Sequence, residues 1–280
     1  MYSREVLYII ELVYWVPASV VSCYVTFKHG FSRQMGWFNL TMLSLFRIIG
    51  AVTGLIAISH PSEGVIETSF ICASVGLMAL IGALSGIMLR VNMNMYENSI
   101  ITPERAKSLH LPTVAAMILS IVAGSEIGND RPSDVAQALL FFKISIALVT
   151  AVYIVVAFVT VYTARKRCFV LQSEQLLVKI AVVSIPFISV RLIYSWLASW
   201  LPMNSLFFMM NQGATATVVR AIMALCPEFI VASMFLWAGV MVDEKSAPTR
   251  AAIRAGLKDG AIEVATAKIV EIIAHKHGRV

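Results

Sequence analysis

An all-α polytopic membrane protein, a bundle of seven transmembrane helices, is the fold class this sequence predicts, and three observations predict it. Of 280 residues 59% are hydrophobic and 14% charged, with a mean hydropathy of +0.81, whereas an ordinary soluble domain carries about a quarter charged residues. The apolar residues fall into seven runs, at 6–27, 37–59, 69–89, 111–126, 135–164, 178–201 and 216–242. A helix of roughly 20 apolar residues crosses a hydrocarbon core about 30 Å thick. Finally, Lys and Arg are shared unequally between alternate connections. A soluble globular enzyme is excluded; the bilayer takes the place of a conventional core. The chain divides into a seven-helix transmembrane domain, 1–242, and a basic tail, 243–280.

The first run begins within six residues of the start and lacks a basic leader, so it is expected to act as a signal anchor rather than a cleaved signal. The fourth run is the shortest and ends on Glu126. Omitting it would leave a long connection without the composition of a soluble domain. The connections after the first, third and fifth runs, with the tail, hold fifteen Lys and Arg, against Arg4 and Arg131 on the other side. Positive charge marks the cytoplasmic face. The N-terminus is therefore expected outside or in the lumen and the C-terminus in the cytoplasm, in a multi-pass protein of the endoplasmic reticulum membrane. The net charge of +6 belongs to those cytoplasmic connections, and no nucleic-acid partner is expected.

Cys23, Cys72, Cys168 and Cys226 form no CxxC pair, so neither a disulfide framework nor a zinc site is indicated. The tail places Ile262, Ile269, Ile272 and Ile273 among basic residues. It reads equally as an amphipathic helix on the membrane surface and as a solvated segment. Arg165, Lys166, Arg167 and Cys168 suit a positive flank better than a palmitoylation site.

Chemistry is expected where ionisable residues interrupt the apolar runs, because each costs at least about 2.5 kcal/mol to insert. These residues are Glu11, Arg47, Glu126, Lys143, Lys179, Arg191, Arg220 and Glu228. At a rise of about 1.5 Å per residue, Glu11 and Arg220 lie roughly 6 to 8 Å from the lumenal end, Lys143 near 12 Å and Arg191 near 15 Å. Arg47 and Glu228 lie near 18 Å. Lys179 and Glu126 stand at span ends, where they can snorkel. Matching depth predicts that Glu228 pairs with Arg47 or Arg191, since an unpaired buried carboxylate would protonate or move. Pro227, Pro186 and Pro17 lie beside the charges, and helix breaks there can open a midplane cavity.

Tyr8, Tyr14, Trp15, Tyr194, Trp196 and Trp200, with Phe207, Phe208, Met209 and Met210, gather on the same side. Trp196 and Trp200 read as an interfacial belt. Tyr14, Trp15 and Tyr194 lie deeper, where ring faces can line a pocket for a prenyl chain or a carbocation. No lysine in the last run could carry a retinal Schiff base, and no Walker, HExxH or Asp-rich diphosphate motif occurs. Rhodopsins, typical G-protein-coupled receptors, ATP-driven pumps, zinc proteases and metal-dependent prenyl enzymes are disfavoured. No metal or other cofactor is expected.

The segments Lys28-His29-Gly30-Phe31, Leu45-Phe46-Arg47-Ile48-Ile49-Gly50, Val190-Arg191-Leu192-Ile193-Tyr194 after Pro186, Arg220-Ala221-Ile222-Met223 and Pro227-Glu228-Phe229 resemble a fungal seven-helix membrane family of secondary-metabolite clusters. That family includes terpene cyclases that open terminal prenyl epoxides of ascochlorin- and ascofuranone-type meroterpenoids. Arg47, Arg191 and Glu228 match its recurrent polar positions; no catalytic assignment comes with them. The resemblance implies a lipophilic prenylated substrate, membrane lipid as surroundings and other pathway enzymes as neighbours.

In that chemistry an acid protonates the epoxide oxygen, an alkene or hydroxyl attacks the tertiary carbon, and a base accepts the released proton. The carboxyl least tightly paired with a cation is the better acid. Glu11 is therefore expected as donor, Glu228 as base or structural partner, and Glu126 as the remaining candidate. Arg47, Arg191, Tyr14, Trp15, Tyr194, Lys143 and Arg220 are expected to contact substrate, and the excess of cations suits a phenolic or carboxylate head group. A seven-helix receptor or sensor, or a transporter of a lipophilic metabolite, is the alternative, although the two halves show no internal repeat.

Overall fold

The computed structural model describes residues 2–29, 35–93, 95, 103–126, 131–170, 172–201, 205–207 and 213–242. The tail and residues 208–212, including Phe208, Met209 and Met210, lie outside them. The described residues form seven helices and no strand: α1 Tyr2–His29, α2 Met35–Ser59, α3 Glu63–Met93, α4 Pro103–Glu126, α5 Pro132–Arg165, α6 Gln175–Trp200 and α7 Ala214–Met241. Two short 3₁₀ turns, Arg167–Phe169 and Gln172–Glu174, join α5 to α6.

Each apolar run forms the core of one helix, because only a helix satisfies all its backbone hydrogen bonds within a single segment in hydrocarbon. Six of the seven are long and apolar enough to cross a membrane. The exception is α4, whose apolar part is only Leu111–Glu126, roughly 24 Å of helix.

The helices close a ring. Successive neighbours pack along the chain, α7 returns to α1, and α3 reaches inward to α5 and α6 as well. Burial follows from that position: 83% of the apolar window of α3 is buried, against 33% for α1 and α2. Leu77, Leu80, Ile81, Leu84, Ile87 and Met88 on α3 meet Leu43 on α2, Ile188 on α6 and Phe235 on α7. The outer faces carry exposed Val6, Val13, Val20 and Phe27 on α1, Ile154 and Phe158 on α5, and Ile222 and Trp237 on α7. In water so continuous an apolar surface would aggregate, whereas lipid covers it.

A π-turn in α7 sets the direction of two polar side chains. The turn occupies Ala221–Leu225, with the Cys226 amide donating to the Ala221 carbonyl. It stands just before Pro227, which has no amide hydrogen and would crowd the carbonyl four residues back in a regular helix. The extra residue also changes register. Arg220 and Glu228 are eight residues apart, which is about 80° around an α-helix, but one inserted residue brings them to about 20°. Both therefore face the bundle interior.

At the bundle end opposite the N-terminus, buried polar groups tie the helices together. His29 donates from Nε2 to the Gly239 carbonyl at 2.8 Å and accepts at Nδ1 from Arg90 Nη1 at 3.2 Å. Arg90 Nε also donates to Glu174 Oε1 at 3.0 Å. Lys28 Nζ donates to the Val240 carbonyl at 2.6 Å. These contacts fix α1, α3, α7 and the turn before α6 at that end.

Candidate functional site

Five of the seven helices send a polar group into one buried cluster in the N-terminal half of the bundle. Arg47 of α2 donates from Nε to Glu228 Oε1 of α7 at 2.6 Å and from Nη2 to Glu228 Oε2. This bidentate edge-on pair is the strongest geometry available to an arginine and a carboxylate. Arg191 of α6 reaches the same carboxylate, Nε to Oε2, at 3.5 Å. Its Nη1 donates to Ser195 at 2.6 Å, and its Nη2 lies 3.5 Å from the Ala73 carbonyl of α3. Glu11 of α1 pairs with Arg220 Nη2 of α7 at 3.5 Å, and Glu11 Oε1 accepts no hydrogen bond. All five charged side chains are buried.

The backbone makes room for them at two glycines. A Cβ on Gly76 of α3 would stand 3.1 Å from Arg47 Nε and 3.2 Å from its Nη2, so the guanidinium lies against bare helix backbone. A Cβ on Gly54 of α2 would stand 2.4 Å from Tyr8 Cζ. Without it the Tyr8 ring settles against α2, and Arg220 lies over that ring at 5.5 Å. Arg191 lies in the same way over Tyr194 at 5.7 Å. Ring faces partly replace the water these cations have lost.

A narrow cavity of about 40 Å³ adjoins the cluster. Arg47, Arg191, Arg220, Ser74, Ser195 and Tyr194 give it a polar side; Phe70, Leu139, Phe142, Ile146 and Val149 give it an apolar one. The volume admits two or three waters and no prenyl chain, so a larger ligand enters only when helices move apart. Glu11 lies in an adjoining crevice with Phe46, Gly50, Ser69 and Ala73, which has no room for water and shares Arg47 and Arg220 with the cavity.

The sequence-derived candidates separate into three groups. Glu11, Glu228, Arg47, Arg191, Arg220 and Tyr194 come together. Tyr14 and Trp15 stand elsewhere. Tyr14 bonds through its hydroxyl to the Phe229 carbonyl at 2.9 Å and to Ser233 at 2.6 Å. It forms part of a 670 Å³ apolar groove between α1 and α7 that opens to the outside with Ile9, Val13, Pro17 and Leu236. Trp15 is buried edge-on against Tyr14 and Phe229. They share the face of α1 that carries Glu11 but stand one turn further along it, where they meet Phe229 and Ser233 rather than the cavity. Lys143 and Glu126 form the third group. Lys143 lies over Trp200 at 5.0 Å, Glu126 ends α4, and neither makes an ion pair among the described residues.

Sequence reasoning missed Ser195, Ser74 and Gly76. Ser195 was open to discovery, since it lies one helical turn after Arg191. Gly76 sits on a helix otherwise facing Arg47 only through tertiary packing, and no spacing signals it.

No curated protein matches the chain. The family DUF7702, described as a domain of unknown function, matches residues 1–245, a span that takes in all seven helices and every member of the buried cluster, and the chain belongs to that family.

Proposed function

We propose that the protein is a membrane-embedded cyclase that opens an epoxidised prenyl chain by protonation, with no cofactor. The observation that carries this reading is the unequal pairing of the two buried glutamates. Glu228 accepts two hydrogen bonds from Arg47 and a third contact from Arg191, so both its oxygens are engaged. Glu11 meets one guanidinium at 3.5 Å, and its Oε1 accepts no hydrogen bond, so it can hold and deliver a proton.

In the reaction Glu11 gives that proton to the epoxide oxygen as the bond to the tertiary carbon breaks. An alkene or hydroxyl of the same molecule closes on that carbon, and the proton released afterwards returns to a carboxylate. Substrate and product are isomers. Phe70, Phe142 and Tyr194 line the cavity, and aromatic rings are suited to stabilising the developing cation. Arg191 and Ser195 are placed to orient a polar head group. The reading includes seven crossings, with α4 as the short one, a lumenal N-terminus, and residence in the endoplasmic reticulum beside enzymes that supply a fungal meroterpenoid.

The test is to feed an epoxidised farnesyl-phenol to microsomes from a heterologous fungal host and to follow the isomer by mass spectrometry. Wild type is expected to give a cyclised isomer, and Glu11→Gln to give none at equal protein level. Absence of turnover by well-folded wild-type protein would overturn the reading. A receptor or sensor for a lipophilic metabolite is the second reading, favoured by the small closed cavity; it would keep ligand binding in Glu11→Gln.

A further inference from the structure

The buried cluster does not balance its charge. Among the described residues it joins three guanidinium groups, Arg47, Arg191 and Arg220, to two carboxylates, Glu11 and Glu228. Arginine does not give up its proton in a protein, so with both glutamates ionised an excess of one positive charge stays buried, and a protonated Glu11 would raise it to two. A buried charge without a counter-charge is among the most costly arrangements in a protein interior.

The cavity shows where the missing charge belongs. All three arginines line it, and neither carboxylate does. Arg191 Nε faces Glu228 Oε2 at 3.5 Å without a hydrogen bond, and Ser195 takes only one N–H of Nη1, so that nitrogen keeps a second N–H. Ser74 and Tyr194 add hydroxyl groups. A planar fork with a spare N–H, flanked by hydroxyls and a second arginine, suits two coplanar oxygens better than a spherical ion.

We propose that this cavity binds a carboxylate, the head group of an amphipathic acid whose apolar body enters as helices move apart and lies along Phe142, Ile146 and Val149 of α5. The site deepens the cyclase reading by naming the head group, yet it stands on charge and geometry and does not require turnover. A lipophilic acid from the bilayer and a small water-soluble acid share this chemistry, and the experiment separates them.

The full-length protein in detergent, in low-salt sulfate buffer, is titrated with farnesoate, benzoate, chloride and methyl farnesoate while its thermal unfolding midpoint is followed. Farnesoate is expected to raise the midpoint saturably, and methyl farnesoate is not. Benzoate acting as well as farnesoate would assign the site to small soluble acids and overturn the amphipathic assignment. Arg191→Gln is expected to weaken farnesoate about tenfold or more, because one facing charge is lost. Glu11→Gln, which keeps that position without negative charge, is expected to hold or tighten farnesoate. A loss in one variant and none in the other distinguishes a binding site from general damage to the fold. Equal responses to the acid and its ester, chloride alone saturating, or an unchanged farnesoate affinity in Arg191→Gln would each overturn the proposal. Cyclisation is read separately as product mass, so either idea can fail alone.

Discussion

Arg47 and Glu228 stand 181 residues apart in the chain and meet edge to edge, both buried, with Nε and Nη2 of the guanidinium each donating to one carboxylate oxygen. Because Glu228 also serves Arg191 at 3.5 Å, the two partners are not equivalent. Removing Arg47 leaves Glu228 with a cation, whereas removing Glu228 leaves two cations with none.

Glu228→Gln is therefore expected to cost more than Arg47→Gln. Stranding two buried charges costs about 3–5 kcal/mol, while loss of charged hydrogen bonds with a cation still in place costs about 1.5–3 kcal/mol. Thermal unfolding in detergent measures both. An equal or reversed order would show that Arg191 does not share the carboxylate.

The close approach at two glycines gives a graded pair. At Gly54 a methyl group would overlap the Tyr8 ring at 2.4 Å, and at Gly76 it would touch the Arg47 guanidinium at 3.1 Å. Gly54→Ala is expected to destabilise by about 1–3 kcal/mol through overpacking, and Gly76→Ala by less, since a guanidinium at the end of a flexible side chain can shift. The same unfolding measurement ranks them.

If the π-turn of α7 is one extra residue that sets register, deleting it is tolerated where deleting its neighbours is not. Deletion of Met223 with Pro227→Ala is expected to leave a regular helix in which Arg220 and the glutamate remain about 20° apart. Deleting Ala232 instead rotates Phe235 and Leu236 out of the core by about 100°. Size-exclusion profiles in detergent should stay monodisperse for the first and collapse for the second.

At the opposite end Arg90→Met is expected to destabilise by about 3–5 kcal/mol, because the buried Glu174 loses the guanidinium that donates to its Oε1. The cluster near Glu11 lies at the other end of the helices, so farnesoate affinity, corrected for folded fraction, should not change. A changed affinity would mean that the two ends communicate.

Much of the fold was legible because apolar runs of helix length have few alternatives in a bilayer. The depths of Glu11 and Arg220, and of Glu228 and Arg47, could be counted along single helices, and each pair meets in the structure. Depth along one helix does not give its neighbours. Tyr14 and Trp15 stand one turn past Glu11 on α1 and meet Phe229 and the α1–α7 groove, while Lys143 turns to Trp200. The clamp of His29, Arg90 and Glu174 was hidden for a related reason. By the bounds of the apolar runs the three lie in different connections, and only packing made them neighbours.

By itself, then, the sequence determined that seven helices form, which stretches are apolar, and that Glu228 must meet an arginine at its own depth. Those properties are local, set by hydropathy and a fixed rise per residue. Tertiary structure alone decided that α3 is the central helix, that Glu228 serves two arginines while Glu11 has one, and that the cavity faces three cations and neither carboxylate. Such features depend on the rotation of each helix about its axis and on the ring order of neighbours. Rotation responds to single residues, such as the extra one in the π-turn and the missing side chain at Gly76, whose effect appears only against the helix they face.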